Sequence, residues 1–298
     1  MAAKLAVHQH GKSRVRLGRT WIEGSVHHFV EWKVQSMLES NMEHAFLTSS
    51  NKGMTATDTQ KNTVYYVAKK CSQRCSAEEY AIELAKHFVS EYPLVSRAKV
   101  WVEEAPWKRV DVQGQPHNHG FCKNGSEVKS VYVSFAEGKG IEKLTTGVQD
   151  LTVLKTTQSG YEGFLKDKYT ILKDTNERIV ATSITATWRY SGELKSCKEY
   201  DRAFNDVKKT LMLKFYGPPD KGVYSPSVQY TLFEMGKAAI QAVPEVESIY
   251  LNLPNLHFLP CTPVTSKFEN DVYIATSEPH GNIEAVITCA DAQPHAKL

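Results

Sequence analysis

The stretch Ser76-Ala77-Glu78-Glu79 decides the fold of this chain, because it starts a helix between two groups of predicted strands. A serine followed three residues later by a glutamate is the capping-box pattern that opens a helix. Tyr80, Leu84 and Phe88 then recur at helical spacing, and Pro93 lies beyond the expected end. We therefore predict an amphipathic helix that begins at this box and buries these three side chains.

The segments around this helix predict strands and one further helix. Toward the N-terminus, apolar and polar residues alternate at 15–17, a turn follows at Glu23-Gly24, and the alternation resumes from Val26, which is the pattern of a β-hairpin. Apolar residues at helical spacing from 64 to 68 predict a helix between the hairpin and the capping box. Two extended segments follow the box, at 99–103 and 131–135. The order in the first half is two strands, two helices and two strands.

The second half of the chain repeats this order. Two strands, two helices and two strands are predicted in turn at 151–155, 179–189, 204–215, 225–239, 249–253 and 283–288. The second of these helices starts at Ser225-Pro226, and we expect the proline in its first turn, where its missing N–H breaks no helical hydrogen bond. Two tandem ββααββ modules thus account for nearly the whole chain. We place the domains at 1–138 and 139–298.

Two such modules predict an α+β protein that assembles. A chain of 298 residues with 41% hydrophobic residues is long enough to bury the two cores. Each module packs two helices on one face of an antiparallel sheet and leaves the other face to be covered. We expect other copies of the chain to cover it.

Composition narrows the classes of partner. The 36 Lys and Arg nearly balance the 33 Asp and Glu, giving a net charge of +3, and the basic residues are scattered rather than clustered. We therefore expect no nucleic-acid or membrane partner, and a small anionic ligand fits better. No apolar run approaches the roughly 18 residues that span a bilayer, and the N-terminus lacks the apolar core of a signal peptide. We predict a soluble protein that is not secreted.

Cysteine spacing and the C-terminus indicate the compartment. The six cysteines are sparse and show no C-x-x-C spacing, so we expect reduced thiols and neither a disulfide nor a zinc framework. The chain ends in Ala296-Lys297-Leu298, which resembles the small-basic-leucine tripeptide read by the peroxisomal import receptor. This tail predicts a peroxisomal protein.

Polar residues that could carry chemistry occur in five segments. In Leu253-Pro254-Asn255-Leu256-His257, an extended strand sends Asn255 and His257 to the same face. The other four segments open strands or helices: Gly11-Lys12, the run from Thr55 to Thr63, Arg178, and Ser227-Val228-Gln229. Helix starts offer unpaired N–H groups to an anion or a carbonyl. Taken singly, each segment has an ordinary structural explanation as a solvated strand residue, an ion-pair member or a helix cap.

A possible metal motif stands apart from these segments. His117-Asn118-His119 would place two imidazoles on one strand face, where they could bind zinc or copper. We favour a structural role for this pair.

Together the segments resemble the urate oxidase (uricase) family over almost the full length of the chain. The matching stretches are His10-Gly11-Lys12, Ala56-Thr57-Asp58 through Lys61-Asn62-Thr63, Leu151-Thr152-Val153-Leu154-Lys155, Gly163-Phe164-Leu165-Lys166-Asp167, Arg178, Ala186-Thr187-Trp188, Ser225-Pro226-Ser227-Val228-Gln229 and Leu253-Pro254-Asn255-Leu256-His257. The resemblance implies the tunnelling fold: two tandem ββααββ domains per chain, whose antiparallel sheets form a β-barrel in the oligomer with the helices outside. It also implies a homotetramer.

The resemblance implies a cofactor-free oxidation in purine degradation. Urate reacts with dioxygen, the co-substrate, and with water to give 5-hydroxyisourate and hydrogen peroxide, and no metal or organic cofactor takes part. Lys12, Thr57 and His257 match the family's proton relay, and Asn255 matches the residue that holds dioxygen and then the attacking water. Release of peroxide agrees with the peroxisomal tail.

The resemblance also assigns the residues that bind urate. Arg178 and the Gln229 side chain match a clamp on one edge of the purine, to which the Val228 N–H adds a donor. The backbone of Thr57 and Asp58 contacts the opposite edge and comes from a neighbouring subunit. The stacking aromatic is commonly phenylalanine in the family and is Tyr161 here, and we expect activity to survive this change because tyrosine stacks about as well.

Two other functions fit the same residues less well. One is a pterin-handling enzyme of the tunnelling fold that binds zinc through histidines, and its activity would be lost on chelation. The other is a purine-binding or structural protein of the peroxisome, which would bind urate without consuming oxygen.

Overall fold

The structure, a computed structural model, describes residues 3–71, 74–261 and 272–289. The predicted import tripeptide Ala296-Lys297-Leu298 lies outside the described residues. The elements in chain order are β1 (His10–Glu23), β2 (Val26–Ser40), α1 (Glu43–Leu47), α2 (Thr57–Lys70), α3 (Ala77–Glu91), β3 (Val95–Glu104), β4 (Trp107–Val112), β5 (Gln115–Lys123), β6 (Val128–Ala136), β7 (Gly140–Lys155), β8 (Val180–Tyr190), α4 (Cys197–Tyr216), α5 (Val228–Ala242), β9 (Val246–Pro260) and β10 (Tyr273–Thr288).

The chain forms two compact units. Unit 1 consists of Met1–Gly147 and Gly192–Arg202, and unit 2 consists of Val148–Ser191 and Ala203–Leu298. Each unit combines helices with a sheet whose strands are mostly antiparallel, which confirms the predicted α+β class. The domain boundary at 138/139 stays a prediction. In the part of the chain that the structure describes, no helix is both long enough and apolar enough to cross a membrane.

In unit 1, a sheet carries two helices. The strand order is β1-β2-β3-β6 followed by the start of β7, and β2 pairs antiparallel with both β1 and β3. Helix α3 packs on β3 and β6, and α2 packs on β1. The predicted capping box is present: the Ser76 Oγ accepts the Glu79 N–H at 3.1 Å, and the Glu79 carboxylate accepts the Ser76 N–H at 2.9 Å. Tyr80, Leu84 and Phe88 are fully buried, as the helical spacing predicts.

A buried polar cluster joins α3 to the sheet of unit 1. The Glu78 carboxylate accepts bonds from the Lys129 ammonium at 2.9 Å and the Thr146 hydroxyl at 2.8 Å, and the Trp32 indole N–H donates to Glu104 at 2.7 Å. Burial raises the pKa of Glu104. Burial disfavours the charge of Lys129, but the two carboxylates outweigh this effect and raise its pKa. The lysine compensates both acids, so the cluster holds α3 in one position against β6 and β7.

Two elements of unit 1 were not predicted from the sequence. One is the short helix α1, and the other is the hairpin of β4 and β5, which forms a separate two-stranded sheet. The hairpin turns through Gln113 and Gly114, which both have positive φ, at 54° and 76°. A two-residue turn with both φ values positive matches the twist of its strands, and glycine adopts it without strain. The Gln113-Gly114 pair was the available sequence signal.

Unit 2 is built on strands in the order β7-β8-β9-β10. Strand β9 pairs antiparallel with both β8 and β10, and α5 packs on β9 and β10. The buried positions of α4 and α5 include the apolar side chains that recur at helical spacing in the sequence: Val207, Leu211, Phe215, Val228, Leu232, Met235 and Ala239.

The predicted start of α5 is wrong by two to three residues. The helix begins at Val228, and Ser227 is its N-cap in an extended conformation, so Pro226 precedes the cap instead of lying in the first turn. The reason is the Ser227 hydroxyl, which accepts the Tyr230 N–H at 3.1 Å and satisfies one of the unpaired donors of the helix start. The capping serine, and not the proline before it, therefore sets where α5 begins.

Candidate functional site

Lys12 is placed by a glycine before it and a bulge after it. In the pairing of β1 with β2, Gly11 lies opposite Met37 and Lys12 opposite Ser36. A Cβ at Gly11 would lie 1.9 Å from the Ser36 carbonyl oxygen, so only glycine fits. After Lys12 the register shifts, and Arg14 adopts a positive φ of 61°. Because a bulge redirects the side chains next to it, the direction of Lys12 depends on this local backbone.

The start of α2 presents unpaired backbone donors, as predicted. Ala56 is the N-cap, and within the described residues no side chain caps this end. The first helical hydrogen bond runs from the Gln60 N–H to the Ala56 carbonyl at 3.0 Å. The N–H groups of Thr57 and Asp58 therefore remain available to an acceptor, and both residues are exposed. An anion or a polarised carbonyl would be favoured here by the helix dipole as well.

Lys12 lies on β1 and Thr57 and Asp58 lie at the start of α2, and these two elements pack on each other in unit 1. The Lys61 ammonium donates to the Asp58 carboxylate at 2.5 Å and lowers its pKa, and the charge of Lys12 contributes in the same direction. Two hydrogen bonds fix this arrangement. The His10 Nε2 contacts the Thr55 carbonyl at 2.7 Å.

The second of these hydrogen bonds joins β2 to the start of α2 and involves Gln60, which no sequence motif assigned to the site. Gln60 is fully buried, and its Oε1 accepts the Ser36 hydroxyl at 2.8 Å. Ser36 is the residue opposite Lys12, so Gln60 ties the first turn of α2 to the strand pair that carries the lysine. The polar run from Thr55 to Thr63 contained this residue but gave no sign that its side chain points inward.

Tyr161 and Arg178 lie together in unit 2. The Arg178 N–H donates to the Ser159 carbonyl at 2.9 Å, two residues before β8 begins. The guanidinium carbon lies 5.5 Å from the centre of the Tyr161 ring, and that ring stacks on Phe164 at 4.8 Å. Tyr161 is held by a pair of backbone hydrogen bonds with Thr175, at 2.6 and 3.1 Å. An aromatic platform and a cation are thus presented side by side.

Arg178 has the properties of an anion-binding residue. It is partly buried, its Nε is buried without a hydrogen-bond partner, and it makes no ion pair with any residue that the structure describes. Burial lowers its pKa, because no carboxylate offsets the cost of the buried charge. Burying a guanidinium N–H without an acceptor is unfavourable unless a ligand supplies that acceptor. The planar fork of N–H donors suits the anionic edge of such a ligand.

The start of α5 lies next to Arg178 through a backbone bridge. Ser159 and Ser225 form a parallel bridge, in which the Gly160 N–H donates to the Ser225 carbonyl at 3.0 Å and the Ser225 N–H donates to the Gln158 carbonyl at 2.9 Å. Two residues later Ser227 caps the helix. The cap uses the Tyr230 N–H, so the backbone N–H groups of Val228 and Gln229 face outward from the helix end, and the Gln229 side chain is exposed.

Asn255 and His257 lie within β9, as predicted. Asn255 is opposite Thr182 on one side and Gly281 on the other, and His257 is opposite Thr276. Their separation of two residues puts both side chains on one face, and both are partly buried. The pairing with β10 shifts register between Thr276 and Gly281, beside both residues. Bulges of this kind are common next to active sites.

Several polar groups around the unit 2 residues were not recognised from the sequence. The hydroxyls of Ser159 and Thr182 are buried without a hydrogen-bond partner in the described part of the chain. Lys155 donates to the Ser225 hydroxyl at 2.9 Å. No spacing pattern marks these residues, because their contacts depend on segments far apart in the sequence.

The two histidines of β5 contact each other. The rings of His117 and His119 are 4.5 Å apart and nearly perpendicular, and the His119 N–H donates to the His117 Nδ1 at 3.2 Å. Among residues 3–71, 74–261 and 272–289, no group of three or more His, Cys, Asp or Glu side chains is arranged to hold a metal ion.

Comparisons with known proteins agree on one family. The family model described as Uricase matches residues 8–134 and 144–284. The chain is 49% identical over 294 residues to a uricase from Arabidopsis thaliana, and 50% identical over 292 residues to a uricase-2 isozyme from Glycine max, with 94% of each chain covered in both cases.

A solved structure agrees over the whole length as well. The crystal structure of uricase from Arthrobacter globiformis matches with a TM-score of 0.89 at 32% identity, covering 99% of this chain and 98% of that one. This match and the two matched regions confirm the predicted tunnelling fold. Because those regions include both the unit 1 residues around Lys12 and the unit 2 residues around His257, the chain belongs to the uricase family of oxidoreductases, the urate oxidases.

Proposed function

We propose that this protein oxidises urate with dioxygen and water to 5-hydroxyisourate and hydrogen peroxide, as a step of purine degradation and without a metal or organic cofactor. The observation that carries the proposal is Arg178, a partly buried guanidinium whose Nε has no hydrogen-bond partner among the described residues and which lies beside the Tyr161 ring. A flat, anionic, hydrogen-bonding ligand such as urate complements both groups. Family membership supplies the reaction class.

Urate is bound in this proposal by one planar clamp and one stacking ring. Arg178 and the Gln229 side chain hold one edge of the purine, and the Val228 N–H adds a donor at the start of α5. Tyr161 stacks on the face of the ring. The Thr57 and Asp58 backbone donors contact the opposite edge. Charge-assisted bonds from a planar fork fix both the position and the orientation of the substrate.

Proton transfer is assigned to Lys12, Thr57 and His257. Lys12 acts through the Thr57 hydroxyl and a water molecule, which relay the proton. His257 shares the proton. Removal of a proton makes bound urate electron-rich, so it gives two electrons to dioxygen, which leaves as peroxide after taking up two protons. Water then adds to the oxidised purine, and Asn255 holds first the dioxygen and then this water.

The two groups of site residues support an oligomeric active site. Lys12, Thr57 and Asp58 belong to unit 1, whereas Tyr161, Arg178, Gln229, Asn255 and His257 belong to unit 2. We infer that the unit 1 group of one chain faces the unit 2 group of a neighbouring chain in a homotetramer. The end strands β1 and β10 each have one sheet neighbour in the described chain, and open edges of this length are normally paired or covered.

The predicted location agrees with this chemistry. An oxidase that releases hydrogen peroxide is best placed where peroxide is destroyed, and Ala296-Lys297-Leu298 has the form of a peroxisomal import signal. We propose that the import receptor carries the protein to the peroxisome through this tail.

A single assay tests the function. Purified protein is mixed with urate in the presence of a metal chelator, and loss of urate absorbance, oxygen consumption and peroxide release are followed together. We expect the three to proceed in equal molar amounts. Loss of turnover on chelation, restored by zinc, would support the metal-dependent alternative. Urate binding without oxygen consumption by an intact oligomer would reject the enzymatic assignment.

A further inference from the structure

Lys155, the last residue of β7, is an unusual cation in unit 2. It is partly buried, its Nζ lies 5.5 Å from the centre of the Phe215 ring, and among the described residues it makes no ion pair. The Nζ donates to the Val223 carbonyl at 2.5 Å and to the Ser225 hydroxyl at 2.9 Å. Burial lowers its pKa to about 8. Burying a charge without a counter-charge costs free energy, so we expect Lys155 to have a role that a solvated surface lysine does not have.

The segment that Lys155 holds connects α4 to α5. After α4 ends at Tyr216, the chain turns through Gly217 and Gly222, whose φ values are 74° and 66°, and the Gly222 N–H donates to the Pro218 carbonyl at 2.7 Å. An open cavity of about 650 Å³ lies between this turn and residues 154–158. The two bonds from Lys155 fasten the segment that follows this turn to the end of β7.

A short series of hydrogen bonds runs from this fastening point to the urate site. Ser225 forms the backbone bridge with Ser159, and the Ser159 carbonyl accepts the Arg178 N–H at 2.9 Å. In the other direction, Ser225 lies two residues before the cap of α5, whose first turn carries Val228 and Gln229. Next to this bridge there is no room for a side chain at Gly160, where a Cβ would lie 2.1 Å from the Tyr224 hydroxyl and 2.8 Å from the Thr175 carbonyl oxygen.

We propose that Lys155 is a positioning residue for urate, whose ammonium fixes the Val223–Ser225 segment to the end of β7 and so sets the spacing between Arg178 and the first turn of α5. This inference rests on the proposed function, in which Arg178 and the first turn of α5 form the two arms of the urate clamp. Lys155 itself does not touch the substrate.

The ammonium suits this task better than an apolar side chain would. It has three donors on a long stem, so it satisfies a backbone carbonyl and a hydroxyl at once while the charge itself lies over the Phe215 ring. Bonds from a charged donor are stronger and shorter than neutral ones. A methionine of similar length would fill the space but leave the Val223 carbonyl and the Ser225 hydroxyl without this donor.

The test compares Lys155→Met with Lys155→Arg and with a control, Lys237→Met, which removes an exposed lysine on α5 that pairs with Glu234. We expect Lys155→Met to raise the KM for urate by about tenfold or more, as loss of bonds to a charged donor predicts, with a smaller fall in kcat. Lys155→Arg should recover part of the KM. Lys237→Met should keep the wild-type KM.

Amide hydrogen exchange provides a second readout that does not depend on turnover. In Lys155→Met, the peptides that contain Gly160, Arg178 and Ser225 should exchange faster than in the wild type, and peptides of unit 1 should not change. If Lys155→Met does not fold, Ser225→Ala removes one acceptor only, and it should raise both the KM and the exchange rate to a smaller extent.

An unchanged KM and unchanged exchange in a folded Lys155→Met or Ser225→Ala protein would overturn the proposal. A lower melting temperature with a wild-type KM would overturn it as well, because a purely structural lysine gives that result. If the wild-type protein does not oxidise urate, the proposed function fails, and the exchange comparison then tests the fastening of the segment alone.

Discussion

Two residues of the proposed site, Lys12 and Arg178, are positioned by contacts of the backbone around them. Gly11 brings β1 so close to β2 that no side chain fits there, and this contact sets the position of Lys12. Arg178 is held by its backbone N–H, while its side-chain Nε has no hydrogen-bond partner within the described chain. Close packing therefore positions Lys12, whereas Arg178 retains a donor that a ligand could accept.

The two kinds of site residue should separate in kinetics. Arg178→Ala should raise the KM for urate about 10- to 100-fold, because it removes a charge-assisted pair of bonds. Lys12→Ala and Thr57→Ala should instead lower kcat by about a hundredfold or more, as loss of acid–base catalysis does, with little change in KM. Steady-state kinetics measures both, and Thr59→Ala, an exposed threonine in the same helical turn, is the control. Equal losses of affinity in all three variants would contradict the assigned roles.

The glycine before Lys12 gives a second prediction. Gly11→Ala forces a Cβ against the Ser36 carbonyl, so β1 must shift, and we expect a loss of about 1–3 kcal/mol in the free energy of unfolding together with most of kcat. Denaturant unfolding and steady-state kinetics measure the two effects. Gly192→Ala is the matched control, because a Cβ there meets nothing within 4 Å. The same behaviour in both variants would show that the close approach is not required.

At the scale of elements, the proposed site lies where helices and strands begin or end. The first turn of α2, the first turn of α5 and the end of β7 each supply backbone or side-chain groups, since element ends are where hydrogen-bonding groups remain unpaired. Two polar contacts tie these ends to distant segments. Ser36 and Gln60 do this in unit 1, and Lys155 and Ser225 do it in unit 2.

The contact at the end of β7 predicts a dependence of stability on pH. The ordinary lysine pKa of 10.5 falls to about 8 for Lys155 in the folded state. Between these pH values the folded chain binds fewer protons than the unfolded chain, so its stability rises with pH in this window. We expect the free energy of unfolding of the wild type, relative to Lys155→Met, to increase from about pH 8 toward pH 10.5.

Denaturant unfolding at a series of pH values measures this difference. Tyr216, Asp220 and Lys221 line the same cavity as Lys155, and they are present in both proteins, so their titration largely cancels in the comparison. Lys237→Met should show no such trend relative to the wild type. A flat difference for Lys155→Met would mean that the ammonium is not buried in solution.

At the scale of the whole molecule, the proposed active site needs two chains. In the proposed site, Lys12 and Thr57, to which proton transfer is assigned, belong to unit 1, and the proposed clamp residues Arg178 and Gln229 belong to unit 2. A symmetric oligomer repeats each contact, so every interface of this type would hold two equivalent sites. Activity then depends on assembly as well as on folding.

Mixed oligomers test this arrangement. A Thr57→Ala chain and an Arg178→Ala chain should each be nearly inactive alone at low urate. When the two are expressed together, one site in each mixed pair contains neither substitution, so random assembly should restore about a quarter of the wild-type activity. Two different affinity tags confirm that the oligomers are mixed. Mixed oligomers without activity would show that both groups of residues come from the same chain.

Local patterns in the sequence were enough to predict much of this fold. The capping box at Ser76 and the helical spacing of Tyr80, Leu84 and Phe88 involve residues within a few turns of each other, and the structure confirms both. The same applies to the alternation that led to β1, β2 and β9. Resemblance to the uricase family supplied the site residues, and the comparisons confirm that family.

The tertiary structure decided what depends on contacts between distant residues. Lys155 meets Ser225 across 70 positions of sequence and Ser36 meets Gln60 across 24, and neither pair is marked by any local pattern. The start of α5 at Val228 instead of Pro226 likewise followed from which side chain caps the helix. The sequence by itself determined the order of the strands and helices in the two ββααββ repeats, because periodicity and capping act over short distances. Packing alone determined how their ends are tied together, because those polar contacts form only once the chain has folded.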